Sequence, residues 1–180
     1  MTNIEEEDVV TLLRHYRHDW MNELQLIMGY AQMGKLDTVQ KKIQQSVEKA
    51  ESDRKLQNLP LPKTVIWVMQ FNFRFDNFRL KYNIDANEKL AIDDQRLYDQ
   101  LERIMEIFTS FGMKTEMYHG TMNIQQLNQQ QLKVQLSFSG IIERSKELKN
   151  QIEHSDELID VDIQQSQHDH EIYTVTWIGE

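Results

Sequence analysis

The sequence predicts an α+β protein in which two long amphipathic helices precede a separate domain of helices packed on a sheet. Three observations support this prediction. Apolar residues recur every three or four positions through the first 58 residues, as in amphipathic helices. The only two prolines lie in "QNLPLP", residues 57–62, and mark a boundary near residue 60. Beyond this boundary, segments that alternate apolar and polar residues, as strands do, are mixed with helical segments.

Residues 1–59 are predicted to form an antiparallel helical hairpin. Its first helix covers about residues 6–33, and Gly34 follows where a left-handed residue is usually needed. The second covers about residues 37–58, with Asp37 as its N-cap. Because two helices cannot enclose a core, we expect two copies to pair as a homodimeric four-helix bundle. The alternative is that the C-terminal half of the same chain covers the apolar stripe, whose members are Val9, Leu13, Tyr16, Trp20, Leu24, Ile27, Ala31, Val39, Ile43, Val47 and Ala50.

Residues 60–180 are predicted to form a layer of helices on a mostly antiparallel sheet. "NQQ", residues 128–130, separates two alternating segments and indicates a hairpin. The pattern predicts helices over about residues 62–78, 93–111 and 142–153. It predicts strands over residues 80–85, 121–127, 131–139, 158–163 and 171–178.

Composition excludes several classes of function. A formal net charge of −9 argues against a nucleic-acid-binding protein or one that lives on an anionic membrane, because phosphate would be repelled. The chain has no cysteine, which excludes disulfides, thiolate zinc sites and thiol nucleophiles. Residues 1–7 are acidic where a signal peptide is basic, and no apolar run approaches the roughly 20 residues that span a bilayer. We therefore expect a cytoplasmic protein.

The segment "LLRHYRHDWMNELQLI", residues 12–27, concentrates polar residues on one face of the first helix. At about 100° per residue, His18 lies about 160° from the centre of the apolar stripe. Four residues fall within roughly 40° of His18 and form an outward polar row with it, namely Arg14, Asn22, Gln25 and Gly29. His15 and Leu26 flank this row, whereas Arg17 and Asp19 lie nearer the stripe.

This arrangement suits a nucleophilic histidine. A solvent-exposed imidazole is largely neutral at cellular pH and can accept a phosphoryl group. Arg14 and Arg17 can offset phosphate charge, and Asp19 is a candidate to orient the ring of His18.

Two other interpretations remain open. The polar row is a solvated helix face, or His15 and His18 bind a metal in a metal-dependent phosphohydrolase. A second histidine cluster, "HDHE", contains His168 and His170, but two ligands make a weak metal site and solvated histidines are the simpler explanation.

Residues 12–30 resemble the active-histidine segment of the sporulation initiation phosphotransferase B family, and more distantly the dimerisation helix of sensor histidine kinases. The resemblance implies that His18 takes a phosphoryl group from one response regulator and passes it to the aspartate of a second. It implies that Arg14, Asp19 and Asn22 surround that histidine. It also implies that the partner is contacted on the outer face of the helix, at Arg17, Gln25, Leu26 and Gly29. It also implies no cofactor in this chain, because the Mg²⁺ of the transfer belongs to the regulator.

The same resemblance implies that residues 60–180 are shaped like a degenerate histidine-kinase ATP-binding domain. Arg103 and Ile107 stand where such kinases place asparagines that hold magnesium and nucleotide. The six glycines never form the G-x-G arrangement that cradles phosphates. We therefore expect a relay phosphotransferase that does not use ATP. The rival from another class is a dimeric docking protein that binds regulators or kinases without exchanging phosphate.

Overall fold

The computed structural model describes residues 6–86, 89–155, 159–165 and 170–180. The chain divides into two compact units, Met1–Asp53 and Arg54–Glu180, and each is described by itself. The domain boundary at residues 59 and 60, placed from the prolines, stays a prediction. Within the described residues, no helix is long and apolar enough to cross a membrane.

The first unit is a helical hairpin that turns at Gly34. Helix α1 spans Glu6–Gln32 and helix α2 spans Leu36–Gln57. Gly34 has a φ of 70°, a conformation that glycine adopts without the steric cost of a Cβ atom. Its N–H donates to the carbonyl of Ala31 at 3.0 Å, and the next N–H, of Lys35, donates to Tyr30 at 3.0 Å. These two bonds form a Schellman motif, which confirms the predicted end of the first helix.

Helix α2 begins at Leu36, before Asp37, so the expected N-cap role of Asp37 is wrong. Asp37 lies in the first turn of the helix. The N–H of Val39 already donates to the carbonyl of Lys35 at 3.0 Å. The negative charge of Asp37 is still favourable there, because it faces the positive end of the helix dipole.

Two side-chain hydrogen bonds join the helices of the hairpin. The Tyr16 hydroxyl donates to the Asp53 carboxylate at 2.7 Å, and the Ser46 hydroxyl donates to the Glu23 carboxylate at 2.8 Å. Both pairs are symmetric about the same point, between residues 34 and 35. The pairing confirms that the two helices are antiparallel.

The second unit packs helices on a five-stranded sheet. The sheet order is β1-β2-β3-β5-β4; β1 runs parallel to β2, and the other pairs are antiparallel, which confirms the mostly antiparallel prediction. Its elements are α3 Pro62–Arg74, β1 Phe78–Asp85, α4 Asp94–Phe111, β2 Tyr118–Asn128, β3 Gln131–Gly140, α5 Ser145–Ser155, β4 Asp160–Gln165 and β5 Glu171–Gly179.

The prediction that α3 continues to residue 78 is wrong. The helix ends at Arg74, and Phe75 is extended with a φ of −113° and a ψ of 91°. Phe78 begins β1 instead, in register with Tyr118, and the two rings stack with centroids 4.8 Å apart. The phenylalanines keep a helical spacing up to Phe78, beyond the end of the helix, and their rings pack in the same aromatic core.

Phe138 on β3 lies at the centre of that core and is fully buried. Its ring meets those of Phe78 and Phe108 edge-on at 5.1 and 5.2 Å, and it stacks on Phe71 at 6.0 Å. Such aromatic pairs contribute about 0.5–1.5 kcal/mol each beyond the area they bury.

Two strand glycines make room for these rings. A Cβ atom on Gly120 would lie 2.4 Å from the ring of Phe138, and one on Gly140 would lie 2.3 Å from the ring of Tyr118. Both positions therefore require a residue without a side chain, for packing rather than for binding phosphate.

Both edge strands of the sheet receive side-chain hydrogen bonds from helices. On β1, the amide of Asn72 accepts from the N–H of Leu80 at 2.7 Å and donates to its carbonyl at 3.1 Å. On β4, the Lys149 ammonium donates to the carbonyl of Val161 at 2.6 Å. These bonds occupy backbone groups that would otherwise be available for pairing with another strand.

Candidate functional site

His18 lies near the middle of α1, a helix of 27 residues. Its side chain is 70% exposed, so a large partner can reach the imidazole without entering a cleft. The helix remains regular through this segment because the apolar stripe repeats every three or four residues. The sequence predicted a solvent-exposed imidazole at His18, and the structure confirms that exposure.

Two neighbouring side chains contact the imidazole. The Asp19 carboxylate Oδ1 lies 3.4 Å from His18 Nδ1, which is longer than an ordinary N–H···O bond. The Asn22 amide Nδ2 lies 3.2 Å from Nδ1 and 3.4 Å from Nε2. Although successive helical residues do not face each other, Asp19 reaches the ring from the adjacent position. The structure thus brings three of the predicted residues together.

The other predicted site residues lie on the same helix but do not touch the ring. Arg14, Arg17, Gln25 and Leu26 are exposed, and Gly29 is half-exposed. Among the described residues, no hydrogen bond or ion pair joins them to His18. A Cβ atom added at Gly29 would meet nothing within 4 Å, so the helix surface is open there. Leu26 is 54% exposed and adds an apolar contact to this surface.

His15 differs from His18 in how its ring is held. Its Nδ1 lies 2.9 Å from the carbonyl oxygen of Thr11, one turn earlier on α1. A carbonyl only accepts, so Nδ1 carries the proton in this contact. Within the described part of the chain, no group of three or more histidine, aspartate or glutamate side chains is arranged to hold a metal ion. The predicted weak cluster at His168 lies outside the described residues, and His170 is half-buried.

The apolar stripe of the hairpin stays exposed in the single chain. Leu13 is 63% exposed, Trp20 45% and Leu24 50% on α1, and Ile43 and Val47 are 48% and 53% exposed on α2. The polar pairs Tyr16–Asp53 and Glu23–Ser46 join the two helices, while these apolar side chains remain about half exposed. Sequence reasoning missed these pairs, although their symmetry about the point between residues 34 and 35 is visible in the sequence.

Arg103 and Ile107, the two residues singled out on α4, have structural roles in the second unit. Arg103 Nη1 donates to the carbonyl of Ser155 at 2.9 Å and so links α4 to the end of α5. Ile107 is 6% exposed and belongs to the core.

The sequence matches two family models along nearly its whole length. Residues 1–59 match the alpha-helical domain of SpoOB-type sensor kinases, and residues 60–177 match the C-terminal domain of sporulation initiation phosphotransferase B. The chain belongs to the sporulation initiation phosphotransferase B family. A curated member of this family, sporulation initiation phosphotransferase B of Bacillus subtilis (strain 168), is 32% identical over 119 residues. The match covers 66% of this chain and 62% of the relative's length.

Two solved structures of histidine kinases show a weaker likeness. The histidine kinase domain of the blue-light activated histidine kinase EL346 of Erythrobacter litoralis superposes with a TM-score of 0.38 at 9% identity, over 64% of this chain and 59% of that one. The mycobacterial sensor histidine kinase MprB superposes with a TM-score of 0.37 at 6% identity, over 63% of this chain and 89% of that one. The family assignment depends on the sequence matches alone.

Proposed function

We propose that this chain is a cytoplasmic phosphorelay phosphotransferase of sporulation initiation. In this proposal, His18 accepts a phosphoryl group from the aspartate of one response regulator and passes it to the aspartate of a second. The observation that carries the proposal is the 70% exposed imidazole on the outer face of a long helix, in a family named for phosphotransfer. A phosphoryl group carried by another protein requires an acceptor that projects from a surface.

In the proposed reaction the lone pair of His18 Nε2 attacks the phosphorus of the aspartyl phosphate. The N–P bond forms while the P–O bond to the aspartate breaks, and the carboxylate leaves with the electron pair. The second regulator's carboxylate then attacks phosphorus, and the electron pair returns to Nε2. Phosphoryl transfer depends chiefly on in-line positioning and charge neutralisation. Arg14, one turn before His18, and Arg17 supply positive charge beside that path.

We assign no cofactor to this chain. The Mg²⁺ that neutralises the transferring phosphoryl group is proposed to come with the regulator, in an acidic pocket of that partner. The residues of this chain around His18 include one carboxylate within 3.4 Å, that of Asp19, which by itself is a poor magnesium site. Their proposed role is to hold the imidazole and to attract the phosphoryl group.

We propose that ATP is not the phosphoryl donor. Arg103 is engaged with Ser155, and Ile107 is buried, at the positions where kinases need amides. Gly120 and Gly140 accommodate aromatic rings rather than a nucleotide phosphate. Each of these residues therefore has a structural use that is independent of nucleotide.

The functional form is proposed to be a homodimer that forms a four-helix bundle through α1 and α2. Leu13, Trp20, Leu24, Ile43 and Val47 are each about half exposed in the single chain, which is unfavourable for apolar residues that share one stripe. A second copy presents the same stripe, so a two-fold pairing covers both. His18 lies on the opposite side of α1 and remains accessible in such a bundle.

The outer face of α1 is the proposed docking surface for the regulators, and we define it as Arg14, Arg17, Gln25, Leu26 and Gly29. It combines positive charge near His18 with an exposed leucine about two turns, and an open glycine about three turns, further along the helix. The pairing of a polar rim with a small apolar contact is common at transient interfaces.

The proposal is tested by mixing the purified chain with a regulator that carries a radiolabelled aspartyl phosphate. We expect acid-labile label on the wild type and on His15→Ala, and none on His18→Ala. His15 is the matched control because it is an exposed histidine on the same helix. A second regulator, added afterwards, should take the label. Incubation with labelled ATP alone should give no labelled chain.

Other outcomes would favour the rival functions. Tight regulator binding without any label on the chain would favour the docking protein. Metal-dependent release of inorganic phosphate without a phosphoprotein would favour the hydrolase. Gly29→Trp tests the docking surface, because a Cβ atom there meets nothing within 4 Å and the indole would obstruct a partner. That variant should fold normally and weaken regulator binding by at least about tenfold.

A further inference from the structure

The sheet of the second unit has one face that its own helices do not cover. Along each strand, buried side chains alternate with exposed or half-exposed ones, and the buried set forms the core with α3, α4 and α5. We call the face that carries the other set the open face of the sheet. Its centre consists of small polar side chains, among them Thr121, Ser137 and Thr174, which are half-exposed. A second surface can therefore approach the strands closely there.

One cross-strand row of the open face carries opposite charges at its two ends. The register places five residues in this row, in the order Lys81, Thr121, Ser137, Thr174 and Asp162. Lys81 and Asp162 are exposed and lie on the two edge strands, β1 and β4. Four strand spacings separate them by about 19 Å, which is too far for an ion pair within the chain. Ser137 marks the middle of the row, because β3 is the central strand.

A row with this symmetry is complementary to itself. In a face-to-face pair related by a two-fold axis parallel to β3, β4 of one copy lies over β1 of the other. Lys81 of each copy then meets Asp162 of the other. Asn83 and Asp160 occupy the ends of the next row, so a side-chain amide meets a carboxylate there. Both contacts form twice, once on each side of the axis.

Hydrogen bonds already order part of this face in the single chain. The Asn83 amide donates to Asn123 at 2.9 Å, and the Asn123 amide donates to Gln135 at 3.3 Å. These three side chains lie on β1, β2 and β3, in the row next to that of Lys81. Side chains that are ordered before association lose less conformational entropy when a partner binds.

We propose that the open face of the sheet is a second interface between copies of this chain, distinct from the helical hairpins. It offers about 500 Å² per copy, because five strands about 4.8 Å apart carry outward side chains over about 20 Å. A polar interface of this small size is weak, and we expect a dissociation constant of about 0.1–1 mM. At micromolar concentration the sheet unit is therefore unpaired. The inference does not depend on phosphoryl transfer.

Charge exchange in the full chain tests the pairing. Lys81→Glu and Asp162→Lys each bring like charges together and should raise the dissociation constant at least about tenfold. The double variant with both substitutions restores opposite charges and should return it to within about threefold of the wild type. Lys146→Glu is the matched control, because it makes the same charge change on α5, and it should have no effect. Sedimentation equilibrium from 10 µM to 1 mM, about the expected dissociation constant, measures association beyond the hairpin dimer.

Lys133 provides a test of opposite sign. It lies on β3, close to the proposed axis, so its two copies face each other and repel. Lys133→Gln should therefore lower the dissociation constant about two- to fivefold. Backbone amide shifts of Ser137 and Thr174 should move as the concentration rises, whereas those of the core residue Val175 should move less.

Three results would overturn the proposal. They are a wild type that does not associate further up to 1 mM, about ten times the lower expected dissociation constant, a double variant as weak as the single ones, and concentration-dependent shifts confined to other surfaces. None of these results bears on labelling of His18. Failure of the relay experiment would likewise leave the sheet interface standing.

Discussion

The helical hairpin and the sheet unit treat their large apolar side chains in opposite ways. In the sheet unit, Trp67 and Trp177 are each 1% exposed, and Phe138 is fully buried among other aromatic rings. In the hairpin, Trp20 is 45% exposed and Leu13 is 63% exposed. One unit has a complete core within the chain, whereas the other presents an apolar stripe on its surface.

This difference indicates how the two units obtain their stability. The sheet unit buries one apolar core between its helices and its sheet and depends on no partner for that core. The hairpin is joined by polar pairs such as Tyr16–Asp53 and leaves its stripe for an additional surface. We therefore expect the stability of the hairpin, but not that of the sheet unit, to depend on protein concentration.

The largest expected effects come from replacing one tryptophan in each unit. Trp67→Ala should lower the free energy of unfolding of the sheet unit by about 3–5 kcal/mol, because it leaves a cavity beside Phe71. Trp20→Ala should leave the sheet unit unchanged and raise the dimer dissociation constant by at least about tenfold. Urea unfolding followed by tryptophan fluorescence, and sedimentation at several concentrations, measure the two effects.

The three tryptophans make the readout selective. Trp20 reports on the hairpin, and Trp67 and Trp177 report on the sheet unit. If Trp20→Ala destabilises the chain equally at all concentrations, or if the wild type is monomeric at micromolar concentration, the comparison between the units is wrong.

A smaller and opposite pair of effects is expected at two glycines. Gly120→Ala should destabilise the sheet unit by about 1–3 kcal/mol, because the new methyl group overlaps the Phe138 ring and the Ser137 carbonyl. Gly29→Ala should stabilise the hairpin by about 0.8–1 kcal/mol, because alanine favours helix and nothing lies within 4 Å. Thermal unfolding should show opposite shifts, and shifts of the same sign would contradict the open surface at Gly29.

Two substitutions together are expected to produce a comparable effect at the sheet edges. The double variant Asn72→Ala and Lys149→Met exposes backbone groups of Leu80 and Val161, and should lower stability by about 1–3 kcal/mol and promote association. The matched control is Gln70→Ala with Lys146→Met, which makes the same kinds of change on the same two helices. The control should remain within about 0.5 kcal/mol of the wild type. Equal light scattering from both double variants would refute a protective role for the edge bonds.

The sequence predicted the elements well where one period dominates. The first helix, the turn at Gly34 and the alternating strands β2, β3 and β5 are where the pattern placed them. The errors lie at residues whose spacing or chemistry suits one local structure while their packing or backbone bonds belong to another. Phe75 and Phe78 keep helical spacing yet leave the helix, because their rings pack in the aromatic core. Asp37 has the chemistry of an N-cap, but the backbone bond from Val39 to Lys35 starts the helix before it.

For the candidate site, the sequence by itself determined which face of α1 carries His18, because a regular helix advances about 100° per residue whatever its surroundings. It also determined that no cysteine chemistry is possible. Only the tertiary structure decided which side chains reach the imidazole, which carbonyl binds Arg103, and which helix residues bond to the sheet edges. These contacts depend on side-chain rotamers and on elements that are distant in sequence, and neither is fixed by the local periodicity of the chain.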